Sequence, residues 1–179
     1  MRGTLLECFP GEFGLRGSMP KRRGFTLIEL LVVVAIIGII AGIAIVNMIN
    51  AIQRAKQKRS MGDMKTIAIA VEAYSADHNY YPAAAALTLP SGLSLPTGTI
   101  GTISGSLGPT YIRVVPLVDG WSTFFLYGTS VLRTDFAICS AGADGILESS
   151  PLGGATTNFK ADIILVDGTF VQFPDGAQR

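Results

Sequence analysis

The chain has 179 residues, enough for one ordinary domain and an anchor. Apolar residues make up 49% of the sequence and charged residues only 15%, whereas a soluble domain has roughly 25% charged residues. The net charge is +1, and from Phe25 onward nine basic residues face eleven acidic ones. The sequence therefore lacks the basic surface that nucleic-acid binding requires, and we expect no nucleic-acid partner.

Residues 1–24 are predicted to be a leader that is removed. Three cations at positions 21–23 stand directly before Gly24. The apolar run that follows is longer than the roughly 7–15 residues of a secretory signal peptide, and no break follows it. Cleavage at small residues near Ala44 would also discard the helix. Cleavage before the run, which keeps the apolar helix in the product, fits better. We expect Met19 to be the true start, with residues 1–18 a mis-annotated extension, so that the product holds one thiol, Cys139.

Residues 25–46 are predicted to form a transmembrane and assembly helix. Every residue from Leu30 to Val46 is apolar or glycine. The 22 residues of the segment, at about 1.5 Å each, give a helix roughly 33 Å long, which matches a hydrocarbon core about 30 Å thick. In a soluble protein, a helix that is apolar all round would need packing on every side. The cations before it predict a single-pass protein whose N-terminus is cytoplasmic.

The sequence KRRGFTLIELL, residues 21–31, resembles the processing site of type IV prepilins and pseudopilins. The resemblance implies that a prepilin peptidase cuts between Gly24 and Phe25 and that Phe25 is then N-methylated. It also places a glutamate, Glu29, at the fifth position of the processed chain. The fold it implies is α+β and pilin-like, with a long N-terminal α-helix packed on a small antiparallel β-sheet.

Glu29 is the single carboxylate of the predicted membrane segment. An acidic residue in the middle of a membrane helix costs about 2.5–3.5 kcal/mol on translocon scales, so a partner should exist. Glu29 and the new amine of Phe25 lie on one rigid helix, which favours pairing with the Phe25 amine of a neighbouring subunit. In the resembled family this contact registers each incoming subunit on the filament. The alternative is an interfacial glutamate whose carboxylate reaches water.

Residues 47–78 are predicted to continue the helix as an amphipathic segment that ends near Asp77. One stripe at spacings of three and four is expected to face the domain: Met64, Ile67, Ala68, Val71, Tyr74 and Ser75. The basic group Arg54–Arg59 is either a solvated face near lipid headgroups or a contact between subunits. Asn79 and Pro82 favour the end of the helix, and His78 is expected to be a surface residue there.

Residues 79–110 are predicted to be a variable loop region. From residue 83 to residue 110 the sequence is rich in Ala, Ser, Thr, Gly and Pro and carries no charge. A short helix near AAAAL, residues 83–87, and brief strands are expected.

Residues 111–179 are predicted to form a four-stranded antiparallel sheet domain. STFFLYG and TDFAICSA, residues 122–128 and 134–141, have the composition of two paired strands. ADIILV and TFVQF flank Asp167 and Gly168, which favour a tight hairpin turn. The core candidates are Trp121, Phe124, Tyr127, Phe136 and Ile138.

The same region extends the resemblance to the major (G-type) pseudopilin of type II secretion systems. The residues that carry it are Pro116, Gly120, Trp121, Tyr127, Ser140, Gly142, Asp144 and Gly145. Ser122 departs from the family pattern. That family binds calcium in the loop before its Ala-Asp-Ile strand, and here Ala155 and Lys160 replace expected oxygen donors. We therefore expect no cofactor, with Asp144, Glu148 and Asp162 as weak calcium candidates, since calcium takes about six to eight oxygen ligands.

The leading hypothesis is a structural pseudopilin in the bacterial inner membrane, whose periplasmic domain joins a periplasmic type II secretion fibre. Its implied partners are the prepilin peptidase, further copies of itself, other pseudopilins and the inner-membrane assembly platform. A surface type IV pilin is the alternative; a membrane-anchored periplasmic binding domain or enzyme is an alternative of another class. No catalytic residues are expected, because the single histidine, His78, lacks a nucleophile or metal-ligand cluster nearby in sequence.

Overall fold

The computed structural model describes residues 24–84, 98–148 and 153–175. The predicted leader before Gly24 and the start at Met19 lie outside these residues. The first element is α1, Leu27–His78, a helix of 52 residues. The chain divides into two units between Ala41 and Gly42, so α1 contributes to both of them. The helix ends close to the predicted residue because Asn79 adopts a left-handed conformation, with φ of 60°.

The second unit contains a six-stranded sheet rather than the four strands predicted. Its strands are β1 Gly98–Thr99, β2 Leu126–Thr129, β3 Phe136–Ser140, β4 Gly154–Thr156, β5 Ile163–Val166 and β6 Thr169–Pro174. The spatial order is β1-β2-β3-β5-β6-β4. Strands β2, β3, β5 and β6 form the expected antiparallel set, and the two short edge strands add an antiparallel pairing of β1 with β2 and a parallel pairing of β4 with β6.

The core lies between the second half of α1 and the sheet. Met64, Ile67 and Val71 are completely buried, as the helical spacing predicts, and Ala68 is buried with them. Tyr74 and Ser75 lie at the margin of the interface and are half-buried. The sheet contributes Tyr127, Phe136, Ile138, Ile163 and Leu165 to the same cluster.

Two aromatic residues that were predicted to lie in the core are less buried than expected. Phe124 is 56% exposed, because it bridges Val118 in a short antiparallel pair and the alternation of side chains turns its neighbour Phe125 inward instead. Phe125 is fully buried. Trp121 is half-buried and packs against the edge of the core.

The hairpin predicted from Asp167 and Gly168 is confirmed. Their φ values are 46° and 73°, the left-handed pair that a tight two-residue turn requires. The turn also contacts α1, because Lys65 Nζ donates a hydrogen bond to the Gly168 carbonyl. A Cβ atom at Gly168 would meet only the end of the exposed Glu72 side chain, which can move away, so the positive φ is the reason for glycine here.

The predicted loop region contains two short helical segments. A 3₁₀ helix, Ile100–Ile103, leads into α2, Ser104–Leu107. Ile100, Ile103 and Leu107 are buried and attach this segment to the core. A short helix is expected at residues 83–87. Residues 83 and 84 are not helical, and residues 85–87 lie outside the described residues.

Candidate functional site

The N-terminal end of the described chain is open to solvent. Gly24, Phe25 and Thr26 precede the helix in an irregular conformation, and the Phe25 side chain is 79% exposed. A peptide bond in irregular, exposed chain is accessible to a protease, as cleavage between Gly24 and Phe25 requires. Processing at this bond, and methylation of Phe25, remain predictions.

Glu29 lies in the first turn of α1, and its backbone has a structural role that the sequence analysis missed. The Glu29 amide donates a hydrogen bond to Thr26 Oγ1 at 3.2 Å. The signal was present in the sequence as Thr-x-x-Glu, the pattern of a capping box. Among the described residues no side chain pairs with the Glu29 carboxylate, which is exposed. The carboxylate is therefore available to an external partner, and the helix N-terminus favours its negative charge.

The remainder of the first half of α1 is an exposed apolar surface. Within the described residues, α1 is the single helix long and apolar enough to cross a membrane. Its most apolar 18-residue window has a mean hydropathy of 2.9 and no buried residue. Side chains such as Leu31, Ile37 and Ile40 are more than half exposed. In water this surface would be unfavourable, so a lipid or protein environment must cover it.

A turn of the sheet domain, residues 119–123, is fixed to the middle of α1, and we call it the Trp121 turn. The Gly120 amide donates to Ser60 Oγ at 2.9 Å, and Trp121 Nε1 donates to Gln53 Oε1 at 2.6 Å. A Cβ atom at Gly120 would overlap the backbone of Lys56, so only glycine permits this approach.

The buried Asp119 carboxylate holds the Trp121 turn in shape. Asp119 Oδ1 accepts hydrogen bonds from the amides of Trp121 and Thr123, each at 2.9 Å. Asp119 Oδ2 accepts a hydrogen bond from Ser140 Oγ at 2.7 Å, which ties the turn to β3. The sequence showed only the local signal of Asp-Gly in this turn; its partners on the helix and on β3 are distant along the chain.

Asp162 is the one calcium candidate that the fold buries. Its Oδ2 accepts a hydrogen bond from the Glu148 amide at 2.9 Å, whereas its Oδ1 is buried without a partner. Burial raises the pKa of Asp162, the charges of Glu148 and Asp144 add to this, and the hydrogen bond from the Glu148 amide opposes it, so that the pKa is about 6. A buried carboxylate oxygen without a partner is suited to a cation.

The other residues considered as calcium ligands are less suited to binding than Asp162. Asp144 is exposed, and its Oδ1 accepts a hydrogen bond from the Ile146 amide at 3.1 Å. In the described ranges, no three His, Cys, Asp or Glu side chains are grouped closely enough to hold a metal ion. Ala155 lies in β4, and Lys160 is exposed. Any complete site would therefore need backbone or water oxygens in addition to Asp162.

His78 and Cys139 lie in surroundings that give each of them a structural role. His78 is exposed at the end of α1, where its ring stacks on Tyr74 with centroids 4.0 Å apart. Its Nδ1 lies 3.0 Å from the Tyr74 carbonyl oxygen. Cys139 is buried in β3, and burial raises the pKa of its thiol well above the usual value. A buried, protonated thiol is a poor nucleophile.

Comparison with known proteins identifies both parts of the chain. Residues 19–45 match the prokaryotic N-terminal methylation motif, and residues 47–158 match protein G of the type II secretion system. The type II secretion system core protein G of Pseudomonas aeruginosa is 33% identical over 125 residues, which cover 70% of this chain and 86% of that protein.

Proposed function

Because the chain belongs to the protein G family of type II secretion systems and is a pseudopilin subunit of that machinery, we propose that Glu29 registers neighbouring subunits through the amine of Phe25. The match extends into the sheet domain as far as residue 158, and this favours the secretion pseudopilin over the surface pilin and the anchored binding domain. The family is structural, so the proposal involves no catalysis by this chain.

The observation that carries the proposal is the Glu29 carboxylate, which no described side chain pairs with, at the start of an exposed apolar helix. Cleavage after Gly24 would leave Phe25 with a positively charged amine. A Glu29 carboxylate and a Phe25 amine from adjacent copies neutralise each other in lipid, where an isolated charge is costly. The cap formed by Thr26 uses only the Glu29 backbone amide, so it leaves the carboxylate free for this contact.

The remaining steps follow from this role. A prepilin peptidase would remove the leader and methylate Phe25, and the inner-membrane assembly platform would add the subunit to a fibre containing other pseudopilins. The cations before Gly24 favour a cytoplasmic N-terminus, with the sheet domain in the periplasm. One apolar helix in the described chain is consistent with single-pass anchoring in the inner membrane.

The test compares the loss of each member of the proposed pair. Glu29→Ala should abolish fibre formation, while the leader is still removed and the protein still enters the membrane. Gly24→Ser should block processing, so it prevents the Phe25 amine from forming and should abolish fibres for a different reason, with the leader retained in the mass spectrum. Glu72→Gln, which removes an exposed carboxylate from the second half of α1, is the matched control and should assemble normally. Normal fibres from Glu29→Ala would contradict the pairing.

We also propose that Asp162 binds calcium, supported by its buried and unpaired Oδ1. Calcium would satisfy that oxygen and offset the repulsion from Glu148 and Asp144, so it should stabilise the sheet domain. Calcium added to chelator-treated protein at about 100 times its dissociation constant should raise the free energy of unfolding by roughly 2.7 kcal/mol.

The matched variant is Asp162→Asn, which keeps the size of the side chain and removes its charge. Its thermal unfolding should not respond to calcium, whereas Asp175→Asn, which changes an exposed aspartate, should respond like the parent. An unfolding temperature of the parent that is identical with calcium and with chelator would refute the site.

A further inference from the structure

The sheet domain carries exposed apolar side chains at both ends of β2. Val131 and Leu132, in the turn between β2 and β3, are 80% and 81% exposed, more than any other large apolar side chain that the structure describes in the second unit. At the opposite end, Phe124 before β2 is 56% exposed and Ile146 after β3 is 68% exposed. Phe124 and Val131 are seven residues apart, or roughly 20 Å in extended chain, so the two surfaces cannot contact each other within one copy.

The turn between β2 and β3 borders a cleft of about 250 Å³. The residues that line it are Ala83, Ala84, Thr129, Ser130, Val131 and Arg133. A cavity of about 150 Å³ admits benzene, so this cleft can accept the side chain of an isoleucine. Its walls are fixed, because the Tyr81 amide donates a hydrogen bond to the Arg133 carbonyl at 3.1 Å and the Thr134 amide donates one to Ser130 Oγ at 3.0 Å. We call residues 131–133, with this cleft, the β2–β3 tip.

The β2–β3 tip presents a positive charge. The Arg133 side chain is exposed, its guanidinium carbon lies 5.2 Å from the centre of the Tyr80 ring, and it forms no ion pair with a described carboxylate. Asp135, at the base of the turn, is half-buried and accepts a hydrogen bond from a neighbouring hydroxyl at 2.7 Å. Asp167 in the neighbouring hairpin accepts a hydrogen bond from the Phe136 amide at 2.9 Å. Arg133 is therefore the charged side chain of the tip that is left for a partner.

The opposite surface, which we call the Ile146 patch and define as Phe124 with residues 144–146, is formed by two neighbouring segments. A Cβ atom at Gly145 would lie 3.4 Å from Thr123 Oγ1, so the loop after β3 packs against the residue that precedes Phe124. The two exposed apolar side chains of the patch therefore belong to one region of the surface.

A carboxylate lies beside the apolar side chains of the Ile146 patch. The Ile146 amide donates a hydrogen bond to Asp144 Oδ1 at 3.1 Å, and Asp144 forms no ion pair with a described cation. Lys160 is exposed at the same end of the sheet, but Asp144 and Glu148 outnumber it. The patch is therefore acidic, whereas the β2–β3 tip is basic.

Copies that assemble from one membrane share one direction, because the same helix anchors each of them. Within the second unit, Trp121 near the Ile146 patch is hydrogen-bonded to Gln53 of α1. Tyr81, which is bonded to the β2–β3 tip, follows the end of α1 at His78. The two surfaces therefore lie at different levels along α1. An offset between equally oriented copies brings the tip of one copy to the patch of the next, a head-to-tail contact that repeats along a filament instead of closing.

We propose that the β2–β3 tip of one copy binds the Ile146 patch of the next copy in the fibre; this inference rests on the assembly role proposed above. Ile146 would enter the cleft, and Asp144 would face Arg133. Burial of the exposed apolar side chains would supply the attraction, and the charge pair would set the register. Because the contact is small, it would form between copies that their helices already hold together, where the effective concentration is high.

Disulfide cross-linking of fibres tests the contact directly. The full-length double variant Leu132→Cys, Ile146→Cys should give a ladder of dimers, trimers and longer products on oxidation, because each copy bonds to the next through a different cysteine. A disulfide needs Cα atoms within about 7 Å of each other, so the two positions cannot be bridged inside one copy. Either single variant should remain monomeric, and so should the parent, whose Cys139 is buried.

Leu132→Cys combined with Val114→Cys is the matched control. Val114 is 74% exposed, but it lies in the segment between the two ends, after Tyr111, which is bonded to Asp77 of α1, and before Asp119 in the Trp121 turn. This variant should give no ladder.

Reversal of the two charges tests the register. In the double-cysteine background, Arg133→Asp should lower the yield of cross-linked product roughly twofold to fivefold, and the further change Asp144→Arg should restore it. Thermal unfolding would verify that both variants are folded. A yield that does not recover would contradict the pairing of these two charges.

The outcomes separate this contact from the pairing at the start of the helix. Fibres of the double-cysteine variant that give no ladder would overturn the contact and leave the pairing of Glu29 with Phe25 intact. Fibres formed by Glu29→Ala that still give the ladder would support the contact and contradict that pairing. Dimers from Leu132→Cys alone would also overturn the contact, because they would bring two tips together symmetrically.

Discussion

The two halves of α1 differ in what covers their side chains. From Leu27 to Ile49 every residue is exposed, whereas from Asn50 to His78 one face contains buried residues. Those buried residues are Gln57, Ser60, Met64, Ile67, Ala68, Ala70 and Val71. The first half is much the more apolar of the two, yet it is the half that the described part of the chain leaves uncovered.

The difference shows that the arrangement of apolar residues, rather than their number, determines whether a chain can bury its own helix. The second half has a polar face and an apolar face, so one sheet can cover the apolar one. The first half is apolar on all sides, and a single neighbour cannot cover it. It must be covered by lipid or by other proteins, whereas the second half draws its stability from the core.

The comparison is tested most directly by two isoleucines that lie two residues apart. Ile67 is fully buried, and Ile69 is 65% exposed. Ile67→Ala should lower the free energy of unfolding of the sheet domain by about 2–5 kcal/mol, because it removes packed methylene groups and leaves a cavity. Ile69→Ala should change it by no more than about 0.5 kcal/mol. Chemical denaturation of both variants measures the difference, and similar losses would contradict the division of faces.

Features that depend on a few neighbouring residues could be predicted from the sequence, whereas contacts between distant residues could not. The stripe through Met64, Ile67 and Val71 and the hairpin at Asp167 and Gly168 were predictable, because their signals lie within a few residues. Gly24 and Glu29 stood out because charge, glycine and carboxylate interrupt a strongly apolar pattern at fixed positions.

Contacts between distant residues were not accessible in this way. Trp121 and Gln53 are 68 residues apart, and no local pattern pairs them. Phe124 and Phe125 are adjacent and both apolar, so either could have faced the core until the pairing with Val118 fixed the alternation. Strand β4 has neither an apolar alternation nor β-branched residues apart from Thr156, and its pairing with β6 was invisible for that reason.

A second prediction concerns two glycines that lie close to the middle of α1. A Cβ atom at Gly120 would overlap the Lys56 backbone, whereas one at Gly62 would meet open space. Gly120→Ala should destabilise the sheet domain by about 1–3 kcal/mol, because the Trp121 turn must move away from the helix. Gly62→Ala, within the helix, should stabilise it by about 0.5–1 kcal/mol. Thermal unfolding gives both signs, and a stabilising Gly120→Ala would show that the turn does not depend on this close approach.

The smallest predicted effect isolates the hydrogen bond that joins the Trp121 turn to α1. Trp121→Phe removes the donor to Gln53 but keeps an aromatic ring at the core margin, so the loss should be about 0.5–1.5 kcal/mol. Because part of that loss is packing, Gln53→Ala and the double variant complete a cycle. If the bond exists in solution, the double variant should lose less than the sum of the two single variants. Strict additivity would mean that Trp121 is held by packing alone, and the hydrogen-bonded connection between the Trp121 turn and α1 would then rest on Gly120 and Ser60.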